Sequence, residues 1–157
     1  MNHRKNPRIL GYDYGQPGMY FITACTHNRL CILGDVEDYS MKLSNIGLIA
    51  QDCLSSLPQW FPNMEIDQHV IMPNHFHALI YIKERGTSLR EIIGAVKSAT
   101  TRRARKVDQR LLASDLWQRG YFDHVVRTEK SLCALRQYIL DNPTKWAVDE
   151  LNPFFDG

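Results

Sequence analysis

The chain has 157 residues, of which 44% are hydrophobic and 23% charged, and its formal net charge is +2 at pH 7. These values predict one globular domain over 1–157, and the four cysteines contain no Cys-x-x-Cys pair, which argues against a zinc knuckle and a disulfide-stapled secreted domain. No apolar run reaches the roughly 18 residues of a membrane span and no signal peptide is recognisable, so we expect a cytoplasmic protein with reduced thiols.

The first part of the chain predicts an arm, a strand and a helix. Residues 1–18 are basic at the start and then rich in turn formers, so we expect an extended N-terminal arm. Residues 19–26 are β-branched and aromatic, which predicts a first strand. From about Asp38 to Ser56 the apolar residues recur every three or four positions, which predicts an amphipathic helix that ends at Pro58.

The remaining predicted elements are, in chain order, strands 64–72 and 75–82, a helix from about Leu89, a strand 121–126 and a helix 129–141. The Pro73-Asn74 pair favours a turn between the first two of these strands. Ser88 and Glu91 have the spacing of a capping box, and Thr128 is a typical helix N-cap. Asn142-Pro143 ends the last helix, because helical geometry is disfavoured directly before a proline.

This order of elements predicts an α+β fold. A strand, helix, strand, strand, helix, strand series is typical of a ferredoxin-like split β-α-β sheet with its helices on one face. The helix 129–141 is then an added C-terminal helix.

Two histidines follow the predicted Pro73-Asn74 turn. Because side chains alternate along a strand, His75 and His77 leave the same face side by side, and Phe76 points to the other face. Neutral imidazole is the commonest metal ligand in proteins, so a two-histidine clamp is one interpretation. The alternative is that both histidines line a partly polar sheet face, since two ligands do not complete a metal site.

A tyrosine and an asparagine lie one turn apart on the last predicted helix. Tyr138 and Asn142 differ by about 40° around the helix axis and flank its apolar stripe. They could meet the two histidines if this helix packs near the strand 75–82. Otherwise Tyr138 is an edge-of-core tyrosine and Asn142 only caps the helix.

Basic residues are concentrated in two regions. The first eight residues contain three basic side chains, and residues 90–110 contain seven against two acidic ones; the basic ones are Arg4, Lys5, Arg8, Arg90, Lys97, Arg102, Arg103, Arg105, Lys106 and Arg110. Such asymmetry is what a phosphate-binding surface looks like in sequence, although a solvated helix face gives the same pattern.

Four segments together resemble the REP-associated tyrosine transposases, which belong to the HUH single-tyrosine transposases. They are residues 18–26 (GMYFITACT), 72–77 (MPNHFH), 117–127 (WQRGYFDHVVR) and 138–143 (YILDNP). They occur in the family's order and extend over nearly the whole chain. The combination of His-x-His with Tyr-x-x-x-Asn-Pro is much more specific than either motif alone.

The resemblance implies a role for each motif. His75 and His77 would bind a divalent metal, Mg2+ or Mn2+, and Tyr138 would be the nucleophile. Asn142 takes the position of the third ligand, with His124 in reserve as third ligand or proton partner, followed by His69. The implied activity is cutting and resealing of single-stranded DNA beside palindromic repeat hairpins through a 5′-phosphotyrosine intermediate.

The resemblance also implies two DNA-binding surfaces. Arg4, Lys5 and Arg8 with Tyr12 and Tyr14 would read a short single-stranded sequence. A basic group would hold the hairpin phosphates; it comprises Lys97, Arg102, Arg103, Arg105 and Lys106. Relatives in other branches form dimers with exchanged helices, so the sequence leaves monomer and homodimer open.

Two other functions are compatible with the residues. A ferredoxin-like sheet can bind single strands without cutting them, with Tyr20, Phe21 and Tyr81 as stacking residues. Alternatively, His75 and His77 could serve a metal hydrolase that activates water.

Overall fold

The computed structural model describes residues 12–157, within which we number six strands and three helices. In chain order they are β1 (Gly18–Cys25), β2 (Gly34–Glu37), β3 (Ser40–Leu43), α1 (Asn45–Trp60), β4 (Met64–Met72), β5 (His75–Ile82), α2 (Leu89–Val107), β6 (Phe122–Val126) and α3 (Glu129–Asp141). Arg4, Lys5 and Arg8, predicted to contact DNA, lie outside the described residues.

Four of the strands form one antiparallel sheet in the order β4-β5-β1-β6. Met72 pairs directly with His75, so Pro73 and Asn74 form the predicted two-residue turn. β5 lies between β1 and β4, which makes β1-α1-β4 a split β-α-β unit. The predicted ferredoxin-like fold is therefore confirmed.

The helices divide between the two sheet faces. α1 and α2 pack on the face that carries the buried side chains of Tyr20, Ile22, Phe76 and Ile80, and this layer forms the main core. The added helix α3 lies on the opposite face, against β4 and β5. The second face therefore carries the elements that hold the candidate site.

The predicted helix from Asp38 is wrong in its first part. β2 and β3 form a separate hairpin whose turn residues, Asp38 and Tyr39, have φ of 47° and 61°. Two positive φ values match the right-handed twist of a tight hairpin. The sequence misled because Leu43 fits the period of the hairpin as well as that of the following helix.

Helix α1 starts and ends later than predicted. Ser44 is its N-cap, with Oγ accepting a hydrogen bond from the Gly47 N–H at 3.1 Å. Pro58 does not end the helix, which continues to Trp60. A proline in the last turn removes one backbone hydrogen bond, and the Phe61 N–H still bonds to the Leu57 carbonyl at 2.9 Å.

The caps of the other two helices agree with the sequence. Ser88 and Glu91 form a complete capping box at α2, and Thr128 Oγ1 accepts from the Ser131 N–H at α3. Helix α3 ends at Asp141 as predicted, but Asn142 itself is helical, with φ of −53° and ψ of −49°. The preference against helical geometry before Pro143 is overridden here because the Asn142 side chain is held in place, as described below.

The four cysteines all lie in the described residues, and none forms a disulfide. Among residues 12–157, no helix combines the length and apolarity needed to cross a bilayer.

Candidate active site

The two histidines lie side by side in the middle of the sheet. His75 pairs with Cys25 and His77 with Thr23, so both imidazoles occupy the face covered by α3. Their ring centroids are 4.7 Å apart. Both side chains are almost wholly buried, with 0% and 2% of their surface exposed.

Each imidazole is oriented by a hydrogen bond at Nδ1. His75 Nδ1 lies 2.8 Å from Asn74 Oδ1, and because that oxygen only accepts, His75 carries its proton on Nδ1 and a lone pair on Nε2. His77 Nδ1 lies 2.7 Å from Thr23 Oγ1. The Nε2 atoms of both histidines are buried and have no hydrogen-bond partner among the described residues.

Burial keeps both histidines neutral. Burial lowers the pKa of His75 well below its ordinary value, with a further lowering from the neighbouring His77. Burial also lowers the pKa of His77, to about 4. At neutral pH both imidazoles are therefore uncharged, which is the form that binds a metal ion.

Asn142 brings a third polar atom to the same place. Its Nδ2 donates to the Tyr138 carbonyl at 2.8 Å, which fixes the orientation of the amide and turns Oδ1 away from the helix. The amide raises the pKa of both imidazoles and so partly offsets the effect of their burial. Asn142 Oδ1 is itself buried without a hydrogen-bond partner among the described residues.

Three buried polar atoms without hydrogen-bond partners are costly for a folded protein, because a buried polar group normally has a hydrogen bond. Here they are two imidazole nitrogens and one amide oxygen, all of which are recognised metal-ligand types. Among residues 12–157 no group of three His, Cys, Asp or Glu side chains could hold a metal ion. The residues therefore fit a divalent cation only if the amide oxygen of Asn142 completes the set.

The two reserve histidines are not part of this cluster. His124 is exposed on β6 and pairs with Phe21, so two strand spacings, about 10 Å, separate its strand from β5. His69 pairs with Ala78 and therefore points, like Ala78, to the face covered by α1 and α2, which is opposite to the face that carries His75 and His77.

Tyr138 lies beside the histidines at the surface. Its ring centroid is 5.3 Å from that of His77 and 6.0 Å from that of Phe21. The side chain is 43% exposed. The phenol therefore borders the histidine pair and is also accessible to a large substrate.

A bidentate salt bridge holds α3 on the sheet. Arg136 donates from Nε and from one terminal nitrogen to the two oxygens of Asp67 on β4, at 2.8 and 2.7 Å. Two parallel hydrogen bonds fix both position and angle, unlike a single ion pair. The tyrosine and both histidines therefore meet within one chain.

Residues after α3 return to the site, which the sequence did not indicate. The Trp146 ring lies 6.1 Å from that of His75. The Leu151 carbonyl accepts a hydrogen bond from Asn74 Nδ2 at 2.7 Å, and the Arg29 carbonyl accepts a second one at 3.2 Å. Asn74, which is fully buried, thus joins His75 to two other segments of the chain.

The tyrosines Tyr12 and Tyr14, predicted to stack on bases, are half-buried against the core. Tyr12 and Tyr14 have ring centroids 4.9 Å apart, and the Tyr12 hydroxyl lies 3.3 Å from that of Tyr20. Tyr20 is fully buried on the α1 and α2 face, which removes it from the residues available to an alternative stacking surface. Of the other two, Phe21 covers His77 and Tyr81 is 40% exposed.

The five basic residues of α2 that were predicted to hold the hairpin phosphates fall into two groups. Three are committed within the protein: Lys97 Nζ donates to the carbonyls of Gln118 and Gly120, Arg103 pairs with Asp52, and Arg105 donates to the carbonyls of Leu111 and Ser114. Arg102 and Lys106 are exposed, one turn apart, and no described residue bonds to either side chain. These two are the available cations of the predicted group.

Comparisons with known proteins identify the family and agree with the fold. The family model described as "Transposase IS200 like" matches residues 51–142, which include both histidines, Tyr138 and Asn142. A solved structure of a REP-associated tyrosine transposase bound to a REP hairpin superimposes with a TM-score of 0.66 at 19% identity, covering 85% of this chain and 71% of that one. A Deinococcus radiodurans protein solved as a candidate transposase gives 0.55 at 20% identity, covering 83% and 93%.

Two relatives come from Haemophilus influenzae. One, an uncharacterised protein, is 34% identical over 96% of this chain and 94% of its own length. The other, assigned by name to the REP-associated tyrosine transposases, is 26% identical over 88% and 77%. The chain thus belongs to the IS200-like transposase family, whose members process DNA, and it resembles the REP-associated tyrosine transposases among them.

Proposed function

We propose that this protein is a metal-dependent endonuclease and strand transferase that cuts and rejoins single-stranded DNA at palindromic repeat hairpins. Tyr138 is the nucleophile, and the intermediate is a 5′-phosphotyrosine. A transposase of this type would act in the cytoplasm, where its cysteines stay reduced.

The observation that carries the proposal is the group of three buried atoms without partners beside an exposed phenol. His75 Nε2, His77 Nε2 and Asn142 Oδ1 have no hydrogen-bond partner among the described residues, and the ring of Tyr138 borders the same pair of imidazoles. A purely structural site would satisfy these atoms internally. A site that binds a cation and a phosphate needs them free.

Each residue of the site has its own role in the proposed reaction. Tyr138 supplies the attacking oxygen, the imidazoles stay neutral because they are buried, and Asn142 is held by the Tyr138 carbonyl. A bound Mg2+ or Mn2+ would withdraw charge from the scissile phosphate and so favour attack by an anionic oxygen. The exposed position of the phenol lets a DNA strand reach it.

In the cutting step a bond forms between the Tyr138 oxygen and phosphorus, and the bond from phosphorus to the 3′ oxygen breaks. The phenol loses its proton to solvent, and the departing 3′ oxygen takes one up as a hydroxyl. Because the product is still a phosphodiester, a 3′-hydroxyl can attack it and reverse the step, which reseals the strand or joins a new one.

The hairpin specificity is proposed from the resemblance and from the solved relative bound to a REP hairpin. Arg102 and Lys106 are exposed cations on α2 without described partners, and they would hold the phosphates of the stem. Arg4, Lys5 and Arg8 with Tyr12 and Tyr14 would contact the flanking single strand. Lys97, Arg103 and Arg105 would contribute less directly, because each already bonds within the protein.

The test uses a labelled single-stranded hairpin oligonucleotide with Mn2+, resolved on a denaturing gel. We expect a shorter DNA product with a free 3′-hydroxyl and a covalent protein–DNA band. Tyr138→Phe removes both, whereas Tyr81→Phe, a matched control with 40% against 43% exposure, keeps both.

The same gel separates the two other functions. Cleavage without a covalent band identifies a metal hydrolase that uses water. Binding without cleavage identifies a non-catalytic single-strand-binding module. A covalent band that persists in Tyr138→Phe would contradict the assignment of the nucleophile.

A further inference from the structure

Arg29 follows β1 in a turn that touches the candidate site. Its backbone N–H donates to the Thr26 carbonyl at 3.1 Å, and its own carbonyl accepts from Asn74 Nδ2 at 3.2 Å. Asn74 in turn accepts from His75. The backbone of Arg29 is therefore two hydrogen bonds away from the imidazole of His75.

The turn is held in an unfavourable conformation. Asn28 and Arg29 are adjacent, neither is glycine, and both have φ of 54°. The left-handed region is strained for residues with a Cβ atom, so such a pair persists only where surrounding contacts impose it. The buried Asn74 is one of those contacts, and its hydrogen bond to the Arg29 carbonyl fixes the position of the Arg29 backbone.

The guanidinium acts on the site electrostatically. Burial lowers the pKa of His75 first of all, and Arg29 lowers it further. Burial raises the pKa of Cys25 to about 11, and Arg29 is the first group that opposes this rise. Cys25 and His75 are paired residues of β1 and β5, and Arg29 follows the same end of β1, so its charge acts at this end of the two strands.

The guanidinium of Arg29 has no ion pair or hydrogen bond within the described part of the protein. The side chain is partly buried, and no carboxylate or other group within residues 12–157 is hydrogen bonded or paired with it. The two other partly buried arginines of residues 12–157 both have partners: Arg136 pairs with Asp67, and Arg105 donates to the carbonyls of Leu111 and Ser114. A partly buried guanidinium that has no partner among residues 12–157, in a turn bonded to the residue that orients His75, is suited to an anionic ligand.

We propose that Arg29 is a further catalytic residue, which binds a non-bridging oxygen of the phosphate that Tyr138 attacks. The inference rests on the proposed function. Arg29 stays protonated throughout, forms hydrogen bonds that strengthen as negative charge accumulates on the phosphate oxygens, and exchanges no atom with the substrate. His75 and His77 would approach the phosphate from the sheet and Arg29 from the turn.

The direct test measures DNA binding with neutral phosphates. A series of oligonucleotides carries one uncharged methylphosphonate at each successive position, and binding is compared for the unmodified protein and Arg29→Gln. We expect the methylphosphonate at the cleavage position to weaken binding to the unmodified protein and to have little effect on Arg29→Gln. Arg85→Gln is the control, because Arg85 is exposed and pairs with Asp13 beyond the far end of β5.

A second measurement distinguishes the proposal from a role in holding the turn. Arg29→Gln removes a positive charge near a cation site, so Mn2+ should bind a few-fold more tightly while single-turnover cleavage falls about 100-fold. Arg29→Lys, which keeps the charge without the planar fork, should retain part of the cleavage. A loss of Mn2+ affinity together with cleavage would instead show that Arg29 only supports the turn, and the proposal would be wrong.

The outcomes separate this inference from the proposed function. Coupling between Arg29 and one phosphate, with no covalent product from the unmodified protein, would keep Arg29 as a phosphate ligand and reject the nuclease. A covalent product with no coupling at any position would keep the nuclease and reject Arg29.

Discussion

Asn74 is the residue whose substitution best separates the support of the site from the stability of the fold. Its side chain is fully buried and takes part in three hydrogen bonds: from His75 Nδ1, and to the carbonyls of Arg29 and Leu151. At roughly 1 kcal/mol for each bond, Asn74→Ala should lower the free energy of unfolding by ~3 kcal/mol. For a chain of this length that corresponds to a fall in Tm of about 6 to 12 °C.

The same substitution should weaken metal binding. Without the Asn74 oxygen, nothing holds the His75 proton on Nδ1, so Nε2 is no longer fixed as the lone-pair nitrogen. Loss of such a supporting hydrogen bond typically lowers metal affinity by about 10- to 100-fold. Thermal unfolding without metal and Mn2+ titration followed by electron paramagnetic resonance would measure the two effects on the same samples.

Asn63 provides a matched control, since it is also a buried asparagine that donates to two carbonyls, those of Glu84 and Thr87. Asn63→Ala should cost ~2 kcal/mol and leave Mn2+ affinity unchanged. Asn74→Asp should be at least as unstable as Asn74→Ala, because it loses the same two donations and also buries a carboxylate beside the two carbonyl oxygens. It should keep more of the metal affinity, because His75 still has an acceptor. Equal Mn2+ affinities for Asn74→Ala and Asn63→Ala would refute the reasoning.

Three further predictions concern the helix, pH and DNA. Asp67→Asn should reduce single-turnover cleavage by about 10- to 100-fold, because Tyr138 is then misplaced. The charge exchange Asp67→Arg with Arg136→Asp should restore part of the cleavage. Unchanged cleavage in Asp67→Asn would show that the salt bridge does not position α3. In metal-free protein the free energy of unfolding should fall as pH decreases from about 6.5 to about 4, because the unfolded chain then binds protons that folded His75 and His77 do not. The fall should be up to ~1.4 kcal/mol per pH unit for each buried histidine. Urea titrations at each pH would measure it, and a flat profile would contradict the burial of the pair. Replacing Arg102 and Lys106 together by Gln should lower the slope of log Kd against log salt by about 1.8 in filter binding to a hairpin. Arg110→Gln should lower this slope less, because Arg110 already pairs with Asp108. Equal slopes for both variants would show that Arg102 and Lys106 are not part of the interface.

The parts of the fold that could be predicted from the sequence depend on local patterns. The alternation along β5 placed His75 and His77 on one face, and the Pro73-Asn74 pair gave the hairpin register, because both properties are set within a few residues. The hairpin of β2 and β3 was missed because the apolar Leu43 is equally compatible with a strand and with the helix that follows. Local periodicity cannot decide between two elements where they adjoin.

The contacts that complete the site could not be predicted in this way. Thr23 and Asn74 orient the two imidazoles, but Thr23 is 54 residues from His77 along the chain, and its place in β1 and in the segment 18–26 does not indicate this partner. The sequence indicates a turn at Asn74 and a place in the segment 72–77, but not its partners Arg29 and Leu151, which are 45 and 77 residues away. These pairings depend on the sheet register and on the path of the last residues, which are properties of the whole fold.

The role of Asn142 depends most sensitively on the end of α3. Its amide is oriented by the carbonyl of Tyr138, so the candidate nucleophile and the candidate third ligand are linked through the last turn of one helix. One residue of helix corresponds to about 100° of rotation, so an end shifted by a single position would turn Asn142 Oδ1 away from the histidines. Because Pro143 cannot supply a backbone N–H, the helix must end close to this point while Asn142 stays helical. The Asn-Pro pair that resembles a simple stop signal in the sequence therefore also sets the geometry in which an amide oxygen can face two imidazoles.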